Sequence, residues 1–352
     1  MLDFAELGFD AVPAPDEMIR EAAYRRLDSL TKPLGALGRL ETLAAQVCAI
    51  QQTLEPGIVD PVAIVFAGDH GVADRAVSAY PRAVTREMIR NFLEGGAAIN
   101  VLARLHGMDL WIVDAGVDGE CGSHPRLIGA KIRSGTRDFV EQAAMTREEC
   151  AQALQHGRRV VEHVTVPRGN TVLLGEMGIG NTAAAALLMH GLSGHPLDRC
   201  VGRGTGLDDA GLARKHAVLA AAAARCTPRP EPLDLLREFG GYEIAMLVGA
   251  LLGAAARRQV ILVDGFTATV AAALAARIDR NVLGYCAFGH CSAEIAHRAL
   301  LEHLEVRPLL DLGMRLGEGS GAALALPVVR SALALFRQMT TFDGAGVSQK
   351  LA

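Results

Sequence analysis

The stretch Thr171-Val172-Leu173-Leu174-Gly175-Glu176-Met177-Gly178-Ile179-Gly180-Asn181-Thr182 decides the fold. Thr171 to Leu174 is apolar and β-branched, as a buried strand requires. Glycines at 175, 178 and 180 then make a tight turn, and Ala183 to Met189 continues as a helix. Glycine lets a backbone take positive φ and approach a ligand closely. Amides at a helix start have no intrahelical partner and carry partial positive charge. Such a turn suits a phosphate. Glu176 does not, because a carboxylate repels one; it suits sugar hydroxyls or a cation. The combination points to a sugar phosphate. The other reading is a plain strand-to-helix turn with a surface glutamate.

The same grammar recurs on either side. Pro61 to Ala67 ends in Gly68-Asp69-His70-Gly71, and Leu110 to Asp114 ends in Ala115-Gly116. Gln259 to Asp264 runs into Gly265, Val282 to Phe288 into Gly289-His290-Cys291-Ser292, and Val306 to Leu312 into Gly313. Each is expected as a strand, six with the central one. Cys121 to Arg137 has no clear period and is expected as an irregular insertion. Helices are expected over Pro13–Arg26, Leu37–Gln52, Arg86–Leu105, Met145–Glu162 and Leu233–Ala256, the last broken near Gly240-Gly241. A second glycine turn, Val201-Gly202-Arg203-Gly204-Thr205-Gly206, opens a further helix to about Arg225. Lys215 lies two turns into it, where a lone lysine is ordinarily solvated. The tail from Thr341 reads as loosely ordered. Alternating strands and helices predict a mainly parallel α/β sheet with helices on both faces. Ligands of such sheets bind beyond the carboxyl ends of the strands, so the polar residues there converge on one crevice.

Composition narrows the class. The chain has 352 residues, half of them hydrophobic, enough to fill a large core. A net charge of −4 leaves no overall excess of basic residues for nucleic acid. The seven cysteines are scattered without a CxxC pair, and no signal-peptide pattern follows Met1. Reduced thiols and a cytoplasmic location are expected. The longest apolar run, Ile244 to Ala256, is too short for a membrane span and reads as a buried helix. No metal site is expected at Cys286, His290 and Cys291, which lack a fourth ligand. Asp69 and His70 are expected to hold a neighbouring loop. Lys32 and Arg39 either reach an anion or cap a helix. GxxxxGK[ST] is absent, and Gly317-Glu318-Gly319-Ser320-Gly321 lacks the spacing of a hydrolase elbow. Sugar-phosphate chemistry with a carboxylate base remains.

At this point the motifs resemble one family. LTKPLGALGRLE, FAGDHGV, SAYPRAVT, NFLEGGAAINVLAR, GEMGIGNT, VGRGTGLDD, VDGFTAT and GEGSGAALALP follow in order over nearly the whole chain. Together they are similar to the nicotinate-nucleotide–dimethylbenzimidazole phosphoribosyltransferases of cobalamin lower-ligand synthesis. That family has Pro and Ser where Leu34 and Ala36 stand, and often Gln where Arg82 stands. Arg82 lies in the loop assigned to the acceptor base.

The resemblance implies a Rossmann-like, six-stranded parallel sheet in a homodimer. It also implies a large catalytic domain, residues 59–327. A small helical domain would form from residues 1–58 and a C-terminal helix, residues 328–352. The implied substrates are nicotinate mononucleotide and 5,6-dimethylbenzimidazole, with no cofactor, metal, membrane or nucleic acid. By the family pattern Glu318 is the proton acceptor. Glu176, Gly178, Gly180, Asn181, Thr182, Gly202, Arg203, Gly204, Lys215, Asp264 and Ser292 are expected on the nucleotide. Ser78, Tyr80 and Arg86 are expected at the acceptor base. Competing readings are a phosphoribosyltransferase for adenine or a phenol, a silent nucleotide-binding protein, and a metal hydrolase on Asp69, His70 and His290. Acceptor competition, base-dependent consumption of the nucleotide, and chelator resistance discriminate these in turn.

Overall fold

The computed structural model describes residues 8–225 and 231–348. Cys226 and the last four residues of the expected C-terminal helix lie outside them. The strands are β1 (Val62–Gly68), β2 (Asp109–Gly116), β3 (Leu127–Gly129), β4 (Thr171–Met177), β5 (Val260–Val263) and β6 (Cys286–Phe288). All five pairings are parallel and the order is β3-β2-β1-β4-β5-β6. The chain builds outward from β1, returns to place β4 beside it, and builds outward the other way. The switch point between β1 and β4 is therefore the crevice where ligands of such sheets bind.

The sheet has six strands, but not the six expected. β3 comes from the segment expected to be irregular. Two half-buried residues and an exposed glycine give no periodic signal. Val306 to Leu312 forms no strand. It meets the sheet at one isolated bridge, His290 to Leu310, and leaves Leu312 exposed. Val282 to Tyr285 lies in a 3-10 turn, so β6 begins only at Cys286.

The helices, in order, are α1 (Glu17–Ser29), α2 (Arg39–Gln51), α3 (Ala83–Glu94), α4 (Ala98–His106), α5 (Arg147–Val164), α6 (Asn181–Ser193) and α7 (Leu197–Cys200). They continue with α8 (Asp209–Ala223), α9 (Pro232–Phe239), α10 (Tyr242–Ala256), α11 (Phe266–Ile278), α12 (Ile295–His303), α13 (Ser320–Gln338) and α14 (Phe342–Ala345). Local chemistry sets the ends. Asp16 caps α1 by accepting from the Ile19 amide at 3.1 Å, so the helix starts there and not at Pro13. Gly95, at φ +82°, ends α3 and splits one expected helix into two. Thr146 and Glu149 form a capping box on α5.

α10 is the buried helix the apolar run predicts; every residue from Tyr242 to Ala255 is buried. It packs between the sheet and α5. Two glycines allow that approach. A Cβ at Gly157 would overlap the Met246 carbonyl, and one at Gly249 would overlap the Leu154 carbonyl. α13 is long and apolar enough to cross a membrane by length and composition, with mean hydropathy 1.3. Here it packs against α2, α4, β4 and β5.

The two ends of the chain meet. Leu30 bridges Thr341, and Arg26 donates to the Phe336 carbonyl at 3.1 Å while lying over its ring. The tail from Thr341 is accordingly ordered through α14, contrary to expectation. The expected C-terminal helix starts earlier, at Ser320, and stops at Gln338, with Pro327 inside it.

The α5–α10 contact makes one outcome testable. Gly249→Ala puts a methyl against a backbone carbonyl that has no room to yield. Such overpacking costs about 2 kcal/mol or more, which urea unfolding would register. A loss below about 0.5 kcal/mol would mean that the two helices slide apart freely.

Candidate active site

Glu176 stands on β4 opposite Phe66 of β1, at the carboxyl end of the switch point. It is buried, and the Asn181 side-chain amide holds its Oε2. Asn181 thus orients a carboxylate across the glycine turn. Just before it, Gly175 has a second task. A Cβ there would overlap the Gly319 amide, because the loop before α13 crosses directly over the strand.

That loop has an uncommon backbone. Gly317, Glu318 and Gly319 have φ of +81°, +64° and +82° in succession. Positive φ is strained for glutamate, and persists only where its surroundings enforce it. The enforcing groups are identifiable. The Glu318 amide donates to the Glu176 carbonyl at 3.2 Å. Asp264, past the end of β5, accepts from the amides of Gly319 (3.1 Å), Gly321 (2.7 Å) and Ala322 (3.0 Å). Ser320 Oγ donates to the Gly317 carbonyl at 2.6 Å. Asp264, expected on the nucleotide, instead commits both oxygens to the start of α13. It acts on the site through Glu318.

Glu318 is only 5% exposed, and its Oε2 has no hydrogen-bond partner among the described residues. Burial, with Asp264 nearby, pushes its carboxyl up to about 7. Glu176 is pushed to about 8 by burial first, then by the charges of Asp264, Glu243 and Glu318. Two carboxyls in one crevice thus titrate near neutrality, as general acid–base groups do. Glu243, at the start of α10, completes the acid cluster. It is fully buried and meets His70 Nε2 at 2.6 Å. The Cβ of His70 lies 3.0 Å from where a Cβ on Gly180 would sit, so the pair backs the first glycine turn. Asp69 accepts from the Asp118 amide at 2.8 Å. Asp69 thus holds a neighbouring loop, whereas the His70 side chain pairs with a helix residue, Glu243 of α10.

The first turn offers less to a phosphate than its glycines imply. Gly180 has the expected left-handed φ of +101°, but the Ile179 amide is taken by Thr85 Oγ1 and the Asn181 amide by the Gly178 carbonyl. A Cβ on Gly178 would overlap the Gly68 carbonyl, so that glycine serves packing against β1. The second turn carries the cation. Lys215 is fully buried, not solvated, and its Nζ donates to Thr182 Oγ1 and the Gly202 carbonyl, both at 3.0 Å. Burial lowers it to about 8, against the opposing pull of Glu294. Glu294 is buried beside Gly202, where a Cβ would overlap its carboxylate. Arg315 donates to the Gly204 carbonyl at 3.1 Å. Arg203 turns back onto Leu207 and Asp209 of its own loop. Ser292 Oγ accepts from the Glu294 amide at 3.3 Å.

The acceptor-base candidates divide. Ser78 Oγ lies 3.1 Å from Thr205 Oγ1, which brings its loop onto the second glycine turn. Tyr80 is exposed. Arg86 is exposed on α3 and rests against Gly119, beyond β2. Arg82 donates to the His70 carbonyl and pairs with Asp74. Lys32 pairs with Glu41 at 2.9 Å, and Arg39 donates to the Pro308 carbonyl. A cavity of about 900 Å³ lies where the chain ends meet, lined by Asp28, Lys32, Phe342 and others, and shares no residue with the crevice. Among the described residues no group of three or more His, Cys, Asp and Glu is arranged around a metal site.

Sequence reasoning missed Glu243, Glu294 and Arg315. Glu243 had a signal: a lone acid near the start of an otherwise apolar helix after Gly240-Gly241. Glu294 follows Ser292 by two residues at the cap of α12. Arg315 gave none.

Known proteins resemble this chain in sequence and fold. A phosphoribosyltransferase family model matches residues 12–347. The nicotinate-nucleotide–dimethylbenzimidazole phosphoribosyltransferase of Cupriavidus taiwanensis is 55% identical over 97% of this chain and 98% of its own. This chain belongs to that family. The phosphoribosyltransferase of the same name from Parabacteroides distasonis is 46% identical over 96% of this chain and 98% of its own. The crystal structure of CobT from Thermus thermophilus superposes with a TM-score of 0.92 at 42% identity, covering 95% of this chain and all of that one. Membership of the family and the six-stranded α/β fold thus agree.

The raised carboxyls have a stability consequence. Folded Glu176 keeps its proton up to about pH 8, whereas its ordinary value is 4.5. Between those values the folded state binds a proton that the unfolded state releases, so stability falls as pH rises through the window. Glu176→Gln removes that loss. Its melting temperature at pH 8.5 should exceed wild type by roughly 2 °C or more, and the difference should shrink towards pH 5. Equal melting at both pH values would show that Glu176 ionises normally.

Proposed function

We propose that this protein transfers the phosphoribosyl group of nicotinate mononucleotide to 5,6-dimethylbenzimidazole. The products are nicotinate and α-ribazole 5′-phosphate, with inversion at the anomeric carbon. Relatives carrying that activity in their name match along nearly the whole chain. The observation that carries the mechanism is Glu318: a buried carboxylate with an unpartnered oxygen, locked at positive φ at the switch point.

One benzimidazole nitrogen attacks the anomeric carbon as the bond to nicotinate breaks. The bonding pair stays on the departing pyridine nitrogen, which needs no proton. Positive charge grows on the benzimidazole, its second N–H becomes acidic, and Glu318 takes that proton. A single displacement gives inversion without a glycosyl-enzyme. Glu176 faces the ribose, where a carboxyl that keeps its proton to about pH 8 exchanges hydrogen bonds with the sugar hydroxyls. Lys215, Thr182 and the Gly202–Gly204 turn hold the phosphate, with Ser292 at its rim, because a buried ammonium among backbone groups favours an anion. Gly178, Gly180 and Asn181 shape the wall that holds Glu176. Ser78, Tyr80 and Arg86 belong to the acceptor side.

Glu318→Gln keeps size and hydrogen bonding but accepts no proton. It should lose on the order of 10²–10⁴ in rate, with nucleotide affinity by calorimetry little changed. In wild type, kcat/KM should rise as pH climbs through about 7, because the base works only when ionised, and fall again above about 8, where Lys215 loses the charge that holds the phosphate. Near-full turnover in the variant would assign the proton to another group.

The helices α1 and α2 with the end of α13 are read as a small helical unit beside the catalytic one. The protein is also read as a cytoplasmic homodimer, on the family resemblance and its modest charge. Light scattering should give twice the monomer mass at assay concentration. A fully active monomer would overturn the dimer.

A further inference from the structure

His290 has no part in the chemistry above, yet it sits behind it. It is 1% exposed, and neither ring nitrogen has a hydrogen-bond partner among the described residues. A buried unpaired imidazole carries a free-energy cost, so its surroundings need explaining. Two glycines make room for the ring. A Cβ on Gly321 would overlap Cδ2, and one on Gly265 would lie 3.3 Å from Nε2. Nε2 faces Asp264 Oδ1 at 3.8 Å.

Asp264 is fully buried, with the three amides of the α13 start on its oxygens. The acids in its field are Glu176 and Glu318, and Glu176 in turn feels Glu243, which His70 pairs. His290 is the side chain with a donor facing Asp264. Its own other neighbour is His297, with ring centroids 6.2 Å apart. His297 Nδ1 accepts from the Ser292 amide at 2.8 Å, and its Nε2 meets Thr269 Oγ1 at 2.9 Å. An imidazole whose Nδ1 accepts a backbone N–H is neutral. Of the two rings, only His290 has both nitrogens uncommitted among the described residues.

We propose that His290 is a positioning residue for the base. It places an imidazole N–H against Asp264 Oδ1, and through Asp264 it sets the ionisation of Glu318 without touching substrate. The proposal rests on Glu318 being the base. Removing the imidazole leaves the Asp264 charge behind Glu318 to the three amides alone. A nearby like charge disfavours ionisation, so Glu318 then holds its proton to higher pH.

The test uses His290→Asn and His290→Gln in the full-length protein. The acid limb of kcat/KM should move up by about one pH unit. KM for nicotinate mononucleotide should stay within about twofold of wild type, since no contact to substrate is lost. In infrared difference spectra, the carboxyl band that Glu318→Gln abolishes should ionise at correspondingly higher pH. That band needs no turnover. A band that moves while the rate profile does not would keep the coupling and remove Glu318 as the base. A band that stays put overturns the proposal, whatever the rates do. So does a uniform loss of rate or melting temperature with an unmoved midpoint, which is what a purely structural histidine would give. Should both variants fail to fold, nitrogen-15 NMR of wild-type histidines decides: a proton on His290 Nε2 at neutral pH supports the proposal, and a bare Nε2 overturns it.

Discussion

The grip of Asp264 on the start of α13 is the interaction on which the rest of the site depends. One buried carboxylate accepts three amides, from Gly319, Gly321 and Ala322. Those amides have no intrahelical partner, and their dipoles point at the carboxylate. The same contact holds the Gly317–Gly319 turn in a conformation that glutamate alone would avoid. β4 meets it halfway, since Gly175 leaves out the side chain that would collide with the loop. A strand end, a loop and a helix start are thereby fixed to one another by backbone contacts. The free oxygen of Glu318 inherits that rigidity.

The electrostatics follow from the same crowding. Glu176, Glu243, Asp264 and Glu318 are all buried at one end of the sheet. Their charge is tempered by amides, by two histidines and by retained protons, since close ion pairs with lysine or arginine are found elsewhere in the fold. The arrangement favours a cationic ring over an anion. The buried Lys215, under the second glycine turn, supplies the opposite preference a short way off. A ligand with a positive ring at one end and a phosphate at the other matches that polarity.

Much of this was legible in the sequence because parallel strands are buried on both faces and read as unbroken apolar runs. β1, β2, β4 and β5 were marked in that way, each closed by glycine and polar residues. β3 was not, because two half-buried residues and an exposed glycine carry no period. Val306 to Leu312 misled in the opposite sense, being apolar yet held by a single bridge at the edge. Glu176 could be named from the glycines around it, and Glu318 from the family resemblance. The burial of Lys215 could not, because the turn that covers its amine lies on a different segment. Glu243 depends on space cleared by Gly68 and Gly241, one of them far off in sequence, and no local pattern reveals such a fit. Asp264 was placed in the crevice correctly but given a ligand, when its partners are the chain's own amides.

The loop that crosses Gly175 comes from nearly the end of the chain, while Gly175 itself lies at its middle. On a ribosome the glycine turn of β4 is exposed well before Glu318 is made. Loops this long close slowly, and contacts so far apart in sequence form late. Until α13 docks, the sheet carries a crevice without Glu318 and a strand with a bare backbone patch. The crevice is therefore complete only once the Gly317–Gly319 turn has crossed β4, after every strand of the sheet has been made.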